Sequence, residues 1–313
     1  MGTPLLWITF NLFVLVAIAL DLGVFHRKAH KIAIGEAAIW SAVWIAVATA
    51  FGFLVWHWSG ATSGIQYFTG YVIEKALSVD NLFVFLLIFR SFQVDEKLQH
   101  GVLAWGILGA LIMRGLLIAT GAALITRFHW IIPVFGVFLL YTGMHMLWKR
   151  DKQVHYERNL VFRFASTHLR VAKEYHGAQF FIRQAGQRFA TPLFLVLLVV
   201  EITDVTFALD SIPAIFGITQ DAFIVYTSNV LAILGLRALY FLLADLLDYL
   251  RYLGIGLAIV LLFIGVKMVV DPWWHMTETV SLLVVGGILV VTASLSLWAG
   301  PQKKLPPAQP QIS

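Results

Sequence analysis

The chain has no cysteine. That removes disulfide frameworks, thiolate-bound zinc, iron–sulfur clusters and thiol nucleophiles together. Charge is nearly as scarce. Only 12% of the 313 residues are Asp, Glu, Lys or Arg, against about 25% in an ordinary soluble domain. So little polar surface cannot coat a water-soluble particle of 35.0 kDa. What fills the sequence instead is apolar: 60% of it, with a mean hydropathy of +0.84. These figures exclude intrinsic disorder, collagen-like repeats and a soluble nucleic-acid-binding domain, and leave an all-α polytopic membrane protein. Enzyme signatures are missing too. There is no GxGD aspartyl-protease motif, no GxSxG elbow, no Walker A and no GxGxxG followed by an acid, so no enzymatic activity and no bound cofactor are expected.

A bilayer core takes roughly 20 apolar residues as helix. About nine runs qualify, over 5–25, 35–57, 66–89, 101–126, 130–148, 192–215, 222–244, 252–270 and 279–299. The whole chain therefore reads as one transmembrane domain. Connections are short except for 149–191, too polar to cross, which reads as a partly helical surface loop because "VFRFASTHLRVAKEY" alternates weakly with a helical period.

The basic residues orient the spans. With the N-terminus outside, 17 Lys and Arg fall on inside segments, nine of them in loop 149–191, and only Arg127 falls outside. Cytoplasmic loops favour Lys and Arg in this way. The split accounts for the pI of 9.4 without an anionic partner such as nucleic acid. The expected orientation is N-terminus outside and C-terminus cytoplasmic. The first run is read as an uncleaved span, since its positive cluster, His26, Arg27 and Lys28, follows the apolar stretch rather than preceding it. Trp56, Trp58, Trp130, Trp148, Trp273 and Trp274 fall at predicted interfaces as an aromatic belt.

Function has to come from what is out of place in hydrocarbon. An ionisable group near the bilayer centre costs about 2.5–3.5 kcal/mol on insertion scales, so each needs a partner or a purpose. The third span carries Glu74, Lys75, Asp80 and Asn81; the sixth carries Glu201, Asp204, Asp210 and Ser211; the fourth and seventh carry Arg114 and Arg237. Five carboxylates face three fixed cations, a deficit that one divalent cation or two protons would fill. The arginines could serve only to lock the bundle through ion pairs. Five acids on two helices exceed what locking needs.

The two acidic spans also match. Glu74-x5-Asp80-Asn81 lies over Asp204-x5-Asp210-Ser211 at an offset of 130, and Arg114 lies over Arg237 at an offset of 123. The matching spans would cross the membrane in opposite directions. This predicts an inverted-topology repeat, with halves about 66–148 and 192–270, of the kind that builds transporter sites near the midplane. At 100° per residue Glu74, Ser78 and Asn81 share a face, while Asp80 lies about 120° away, and Asp204 stands to Asp210 in the same way. A straight helix cannot aim both acids of a pair at one ion. Either it unwinds between them, which Pro213 favours in the sixth span, or the second acid meets the other repeat. The oxygen donors suit a hard cation such as magnesium, calcium or manganese(II). The predicted metal site is Glu74, Asp80, Asn81, Asp204, Asp210 and Ser211, with Glu201, Arg114 and Arg237 giving supporting charge or proton coupling. His145 could add a nitrogen, though a lone histidine on an apolar helix is usually packing.

The segments "GYVIEKALSVDNLFVF", "ATPLFLVLLVVEITDVTFALDSIPAIFGIT" and "TSNVLAILGLRALYFLL" resemble the hallmark segments of the TerC/Alx family of bacterial integral membrane proteins, and the likeness covers nearly the whole chain. The resemblance implies an inner-membrane protein of metal-ion homeostasis, chiefly manganese(II) export, placed near the lysine-exporter superfamily with its inverted three-helix repeats. It also implies the historical link to tellurite resistance, for which the residues offer no counterpart, since carboxylates repel an oxyanion. The expected function is export of a hard divalent cation, manganese(II) first, as transported ion. Partners would be the bilayer, the ion and a homo-oligomer. Two alternatives stay open: a non-transporting membrane scaffold, and a proton-coupled transporter of another substrate. The orientation has a direct test. Leu160→Cys should resist an impermeant thiol reagent in intact cells and His275→Cys should react; labelling at 160 reverses the topology.

Overall fold

In a computed structural model the described residues are 2–25, 34–128, 130–148, 171–172, 174–184, 187–243, 252–271, 273 and 276–300. The helices are α1 (Pro4–Phe25), α2 (Ile34–Ser91), α3 (Glu96–Arg127), α4 (Ile131–Trp148), α5 (Pro192–Phe216), α6 (Ala222–Ile233), α7 (Leu236–Leu243), α8 (Leu253–Val270) and α9 (Glu278–Ala299). Seven are long and apolar enough to cross a membrane, and α6 with α7 makes an eighth if the bent pair counts as one span. The chain is an all-α, multi-pass membrane protein.

α2 needs a closer look. At 1.5 Å per residue its 58 residues would reach about 87 Å, nearly three times a bilayer core. It does not run straight. Gly60 has φ 87 and ψ 170, a backbone position open to glycine and strained for other residues. Beyond it the chain folds back, so that the Tyr67 hydroxyl donates to the Ala48 carbonyl at 2.9 Å. In one straight helix those residues would stand about 28 Å apart. α2 therefore supplies two antiparallel lengths, matching the second and third apolar runs.

Close backbone approach joins other helices. Cβ atoms added at Gly136 and Gly265 would meet each other's carbonyls at 3.0 and 2.8 Å, and one at Gly143 would meet the Ala258 carbonyl at 2.9 Å. α4 and α8 thus lie backbone to backbone along a seam of small residues, the usual way to gain dispersion contact where lipid removes the hydrophobic drive. Outward faces stay apolar. Leu5 and Leu12 on α1, Val137 and Tyr141 on α4, and Leu283 and Leu297 on α9 are all exposed, as lipid-facing side chains should be.

Between α4 and α5 the described part of loop 149–191 is a β-hairpin. β1 (Phe181–Gln184) pairs antiparallel with β2 (Gln187–Ala190), Phe181 facing Ala190. Tyr175 donates to the Phe92 carbonyl at 2.7 Å, fastening this segment to the end of α2. The helical reading of "VFRFASTHLRVAKEY" falls mostly outside the described residues, and Val171, Ala172, Glu174 and Tyr175 are not helical.

The expected break in the sixth span is corrected here. α5 is helical without interruption from Asp204 through Asp210, because Pro213 sits in its last turn, three residues from the end. The break lies in the seventh span instead. α6 stops at Ile233, Leu234 and Gly235 turn the chain, and α7 departs at 44°. Gly235 has φ +82, and a Cβ there would sit 2.5 Å from the Trp44 ring. Gly235→Ala therefore meets both a left-handed penalty of about 1–2 kcal/mol and a wall. Its thermal midpoint in detergent should fall by several degrees; an unchanged midpoint would show that the break tolerates a side chain.

Candidate functional site

Arg114 is fully buried, with no exposed surface. It sits on α3, whose neighbouring small residues let α5 pack close: Gly106 approaches Val200, and a Cβ at Gly109 would strike the Glu201 carboxyl at 2.0 Å. The guanidinium fork donates twice to Asp204 on α5, Nε to Oδ2 at 3.1 Å and Nη2 to Oδ1 at 3.0 Å. Its other terminal nitrogen pairs with Glu74 on α2 and lies 3.3 Å from Asn229 Oδ1 on α6. Asn229 closes the ring by donating its Nδ2 to Glu74 Oε2 at 2.9 Å. Four spans thus meet on one cation.

The chemistry suits arginine. A planar fork that stays charged can bind one carboxylate bidentately and a second at its far end. Two carboxylates to one guanidinium leave this quartet a net negative charge of one. Lys75, beside Glu74, supplies the balancing charge and donates to the Ala232 carbonyl at 3.0 Å.

The remaining predicted residues do not join this centre. Asp80 is half-buried and about 120° around α2 from Glu74. Asp210 is half-buried and lies beside Thr142 on α4. The cause is the unbroken α5, which turns its two acids towards different neighbours. Asn81 is buried on α2. Ser211 is buried, and its hydroxyl has no hydrogen-bond partner among the described residues. Glu201 is half-buried against Gly109. His145 is exposed and stacks on Tyr141 with ring centroids 5.8 Å apart, a packing role. Among the described residues no three His, Asp or Glu side chains gather as metal ligands.

Arg237 departs from the expected symmetry. Rather than meeting the acids as Arg114 does, it pairs with Asp21 on α1, Nη2 to Oδ2 at 3.1 Å and also to the Asp21 carbonyl. Asp21 went unremarked in the sequence reading, although an acid in the first apolar run was signal enough to ask for its partner. Lys267, buried on α8, was missed for the same reason. Arg237 and Asp204 both line a cavity of about 20 Å³ whose other lining residues include Leu82, Ile107, Ile233 and Leu236, with room for about one water.

Comparison with known proteins adds the following. Residues 59–304 match the model of the Integral membrane protein TerC family. An uncharacterized membrane protein of Myxococcus xanthus is 47% identical over 296 residues, covering 95% of this chain and 93% of its own length. A protein of Escherichia coli strain K12 named Alx, membrane-bound redox modulator, is 44% identical over 306 residues, covering 95% of each. An uncharacterized membrane protein of Rickettsia bellii is 37% identical over 286 residues, 90% of this chain and 95% of its own. No solved structure matches.

The quartet predicts its own stability signature. Arg114→Ala strands two buried carboxylates, a loss on the order of 3–5 kcal/mol. Arg114→Lys keeps the charge but not the fork and should fall between alanine and the parent. Thermal unfolding in detergent ranks the three, and an alanine variant as stable as the parent would mean the quartet does not hold the spans together.

Proposed function

This chain belongs to the TerC family of integral membrane proteins, and from that premise we propose that it is a secondary transporter exporting a hard divalent cation, manganese(II) first. The protein would lie in the inner membrane with its N-terminus outside and its C-terminus in the cytoplasm. The observation that carries this reading is the pairing of Glu74 and Asp204 with a single buried arginine. Two carboxylates are held deep among the spans by one fixed cation, and Asp80, Glu201 and Asp210 stand on the same two spans. An excess of intramembrane acid is what a cation pathway needs and what helix locking does not. Carboxylate, amide and hydroxyl oxygens suit a hard ion.

On this reading the quartet is a closed arrangement. While both Asp204 oxygens accept from Arg114, the guanidinium charge repels a cation there, so ion entry would require the guanidinium to give up part of its fork. The two half-buried acids, Asp80 and Asp210, would then carry the ion on either side of the quartet. Glu74, Asn81, Asp204 and Ser211 would supply the remaining oxygens as the spans move. An inverted relation of the two halves, 66–148 against 192–270, would let the same groups face either side in turn.

The redox association in the relatives' name finds no thiol to work through here, since the chain has no cysteine. It fits an indirect effect, exerted through the cations that the protein moves.

Purified protein in liposomes should carry manganese(II) down an imposed gradient. Asp80→Asn and Asp210→Asn, each correctly inserted, should cut that rate by about tenfold or more, the scale on which even partners of direct ligands act. Lys152→Ala in the loop should do little. If both acid variants move manganese(II) at the parental rate, the ion does not pass these spans; if the parent moves no cation under any gradient, a scaffold role replaces transport.

A further inference from the structure

Two arginines stand opposite each other on the β-hairpin that precedes α5. Strand pairing sets Arg183 against Arg188, and both are exposed. Directly opposed residues have Cβ atoms about 4.5–5.5 Å apart, a spacing at which like charges destabilise a hairpin. No carboxylate among the described residues pairs with either one. Loop 149–191 as a whole carries nine Lys and Arg against three Asp and Glu. Membrane orientation accounts for that excess, but not for two of its charges being held face to face.

The hairpin is fixed in place, and the place is the end of a span. Thr191, fully buried, joins it to α5. The Thr191 amide donates to the Phe180 carbonyl at 2.9 Å and its hydroxyl to the Gln179 carbonyl at 2.7 Å. The Ala172 amide donates to the Ala190 carbonyl at 2.8 Å. Side chains alternate along a strand, so Phe181, Arg183 and Arg188 share one face, with Ile182 and Phe189 on the other. Ile182 is buried and Phe189 half-buried. Phe181 is 55% exposed, and its ring meets that of Phe194, in the first turn of α5, with centroids 4.6 Å apart. That contact sets the face beside the membrane end of α5. Arg183 lies two residues further along β1, about 7 Å from Phe181. A headgroup layer has a similar depth, roughly 5–8 Å.

We propose that this face of the hairpin binds the headgroup of an anionic phospholipid, with Phe181 at the acyl boundary and Arg183 and Arg188 on the phosphate. Continuity and charge both select this occupant. The face adjoins the end of a membrane span, where the bilayer is already the partner, and an aromatic ring beside cations is the composition of an interfacial contact. A planar guanidinium takes phosphate oxygens bidentately. A phosphate between the two arginines replaces their mutual repulsion by attraction to a shared anion. The inference depends neither on the transport reading nor on which terminus faces the cytoplasm.

The test reconstitutes the full-length protein into nanodiscs of phosphatidylcholine alone and of phosphatidylcholine with phosphatidylglycerol, and reads the thermal midpoint. Native mass spectrometry of the detergent-purified protein measures bound phosphatidylglycerol. The parent should gain several degrees from phosphatidylglycerol and lose part of that gain in high salt. Arg183→Gln combined with Arg188→Gln should bind phosphatidylglycerol about tenfold more weakly or worse and lose most of the gain. Either single change should lose part of it, which covers a double variant that does not fold. In phosphatidylcholine alone the double variant should be no less stable than the parent, since a like-charge pair is gone. A merely structural role would lower its midpoint in both lipids. An undiminished response in the glutamine variant would overturn the assignment, and so would a parent indifferent to phosphatidylglycerol. Equal stabilisation by inorganic phosphate alone, in phosphatidylcholine, would overturn the lipid as occupant and leave a soluble anion in its place.

Discussion

A guanidinium with no contact with water must have its charge met by the protein around it, and Arg114 sets that requirement for four spans at once. Its fork takes both oxygens of Asp204, its far nitrogen takes Glu74, and Asn229 bridges the remaining oxygen of Glu74. Removing water raises the strength of each contact and equally the cost of leaving one unmade. The spacing of α2, α3, α5 and α6 follows from this centre. So does the closeness of α3 to α5, where Gly106 and Gly109 leave room for Val200 and Glu201. Charge balance reaches further still: the second carboxylate leaves the quartet short by one positive charge, and Lys75 stands beside it.

The break between α6 and α7 answers a different constraint. Gly235 can take a positive φ under the Trp44 ring, and the resulting bend frees backbone oxygens within an apolar stretch. Broken helices in the middle of a bilayer survive only where something buried satisfies their ends. Here the C-terminal end is satisfied by a side chain from another span. The break stands beside the bidentate ion pair, since Ile233 and Leu236 line the same small cavity as Asp204.

Arg237 shows that the resemblance between the two acidic spans does not extend to their arginines. It leans away to α1, held by Asp21. The family match begins at residue 59, so α1 lies outside it, yet the M. xanthus and E. coli relatives cover 95% of the chain. α1 therefore contributes a charge that anchors the second half of the broken span rather than only apolar surface for lipid.

Much of this was legible in the residues themselves. The apolar runs marked an all-α, multi-pass membrane protein, because hydrocarbon imposes length and composition on any helix that crosses it. Glu74, Asp204 and Arg114 were conspicuous for the same reason: a charge in such a run has to be explained. Helical spacing also showed that Asp80 and Asp210 point away from their partners. Periodicity does not say which arginine meets which acid, since that depends on how four helices approach. Arg114 gathered both matched acids, while Arg237 found one that had been passed over. Nor did composition locate the break. Pro213 was the visible helix breaker, but a proline in a last turn has little helix left to disturb, and Gly235, unremarkable in a glycine-rich chain, holds the bend because Trp44 packs over it. The all-α, multi-pass architecture and the identity of the buried charges were determined by sequence, through the energy of each group in lipid. The partners of those charges were decided only by tertiary structure, because pairing is a property of distances between helices that no single helix contains.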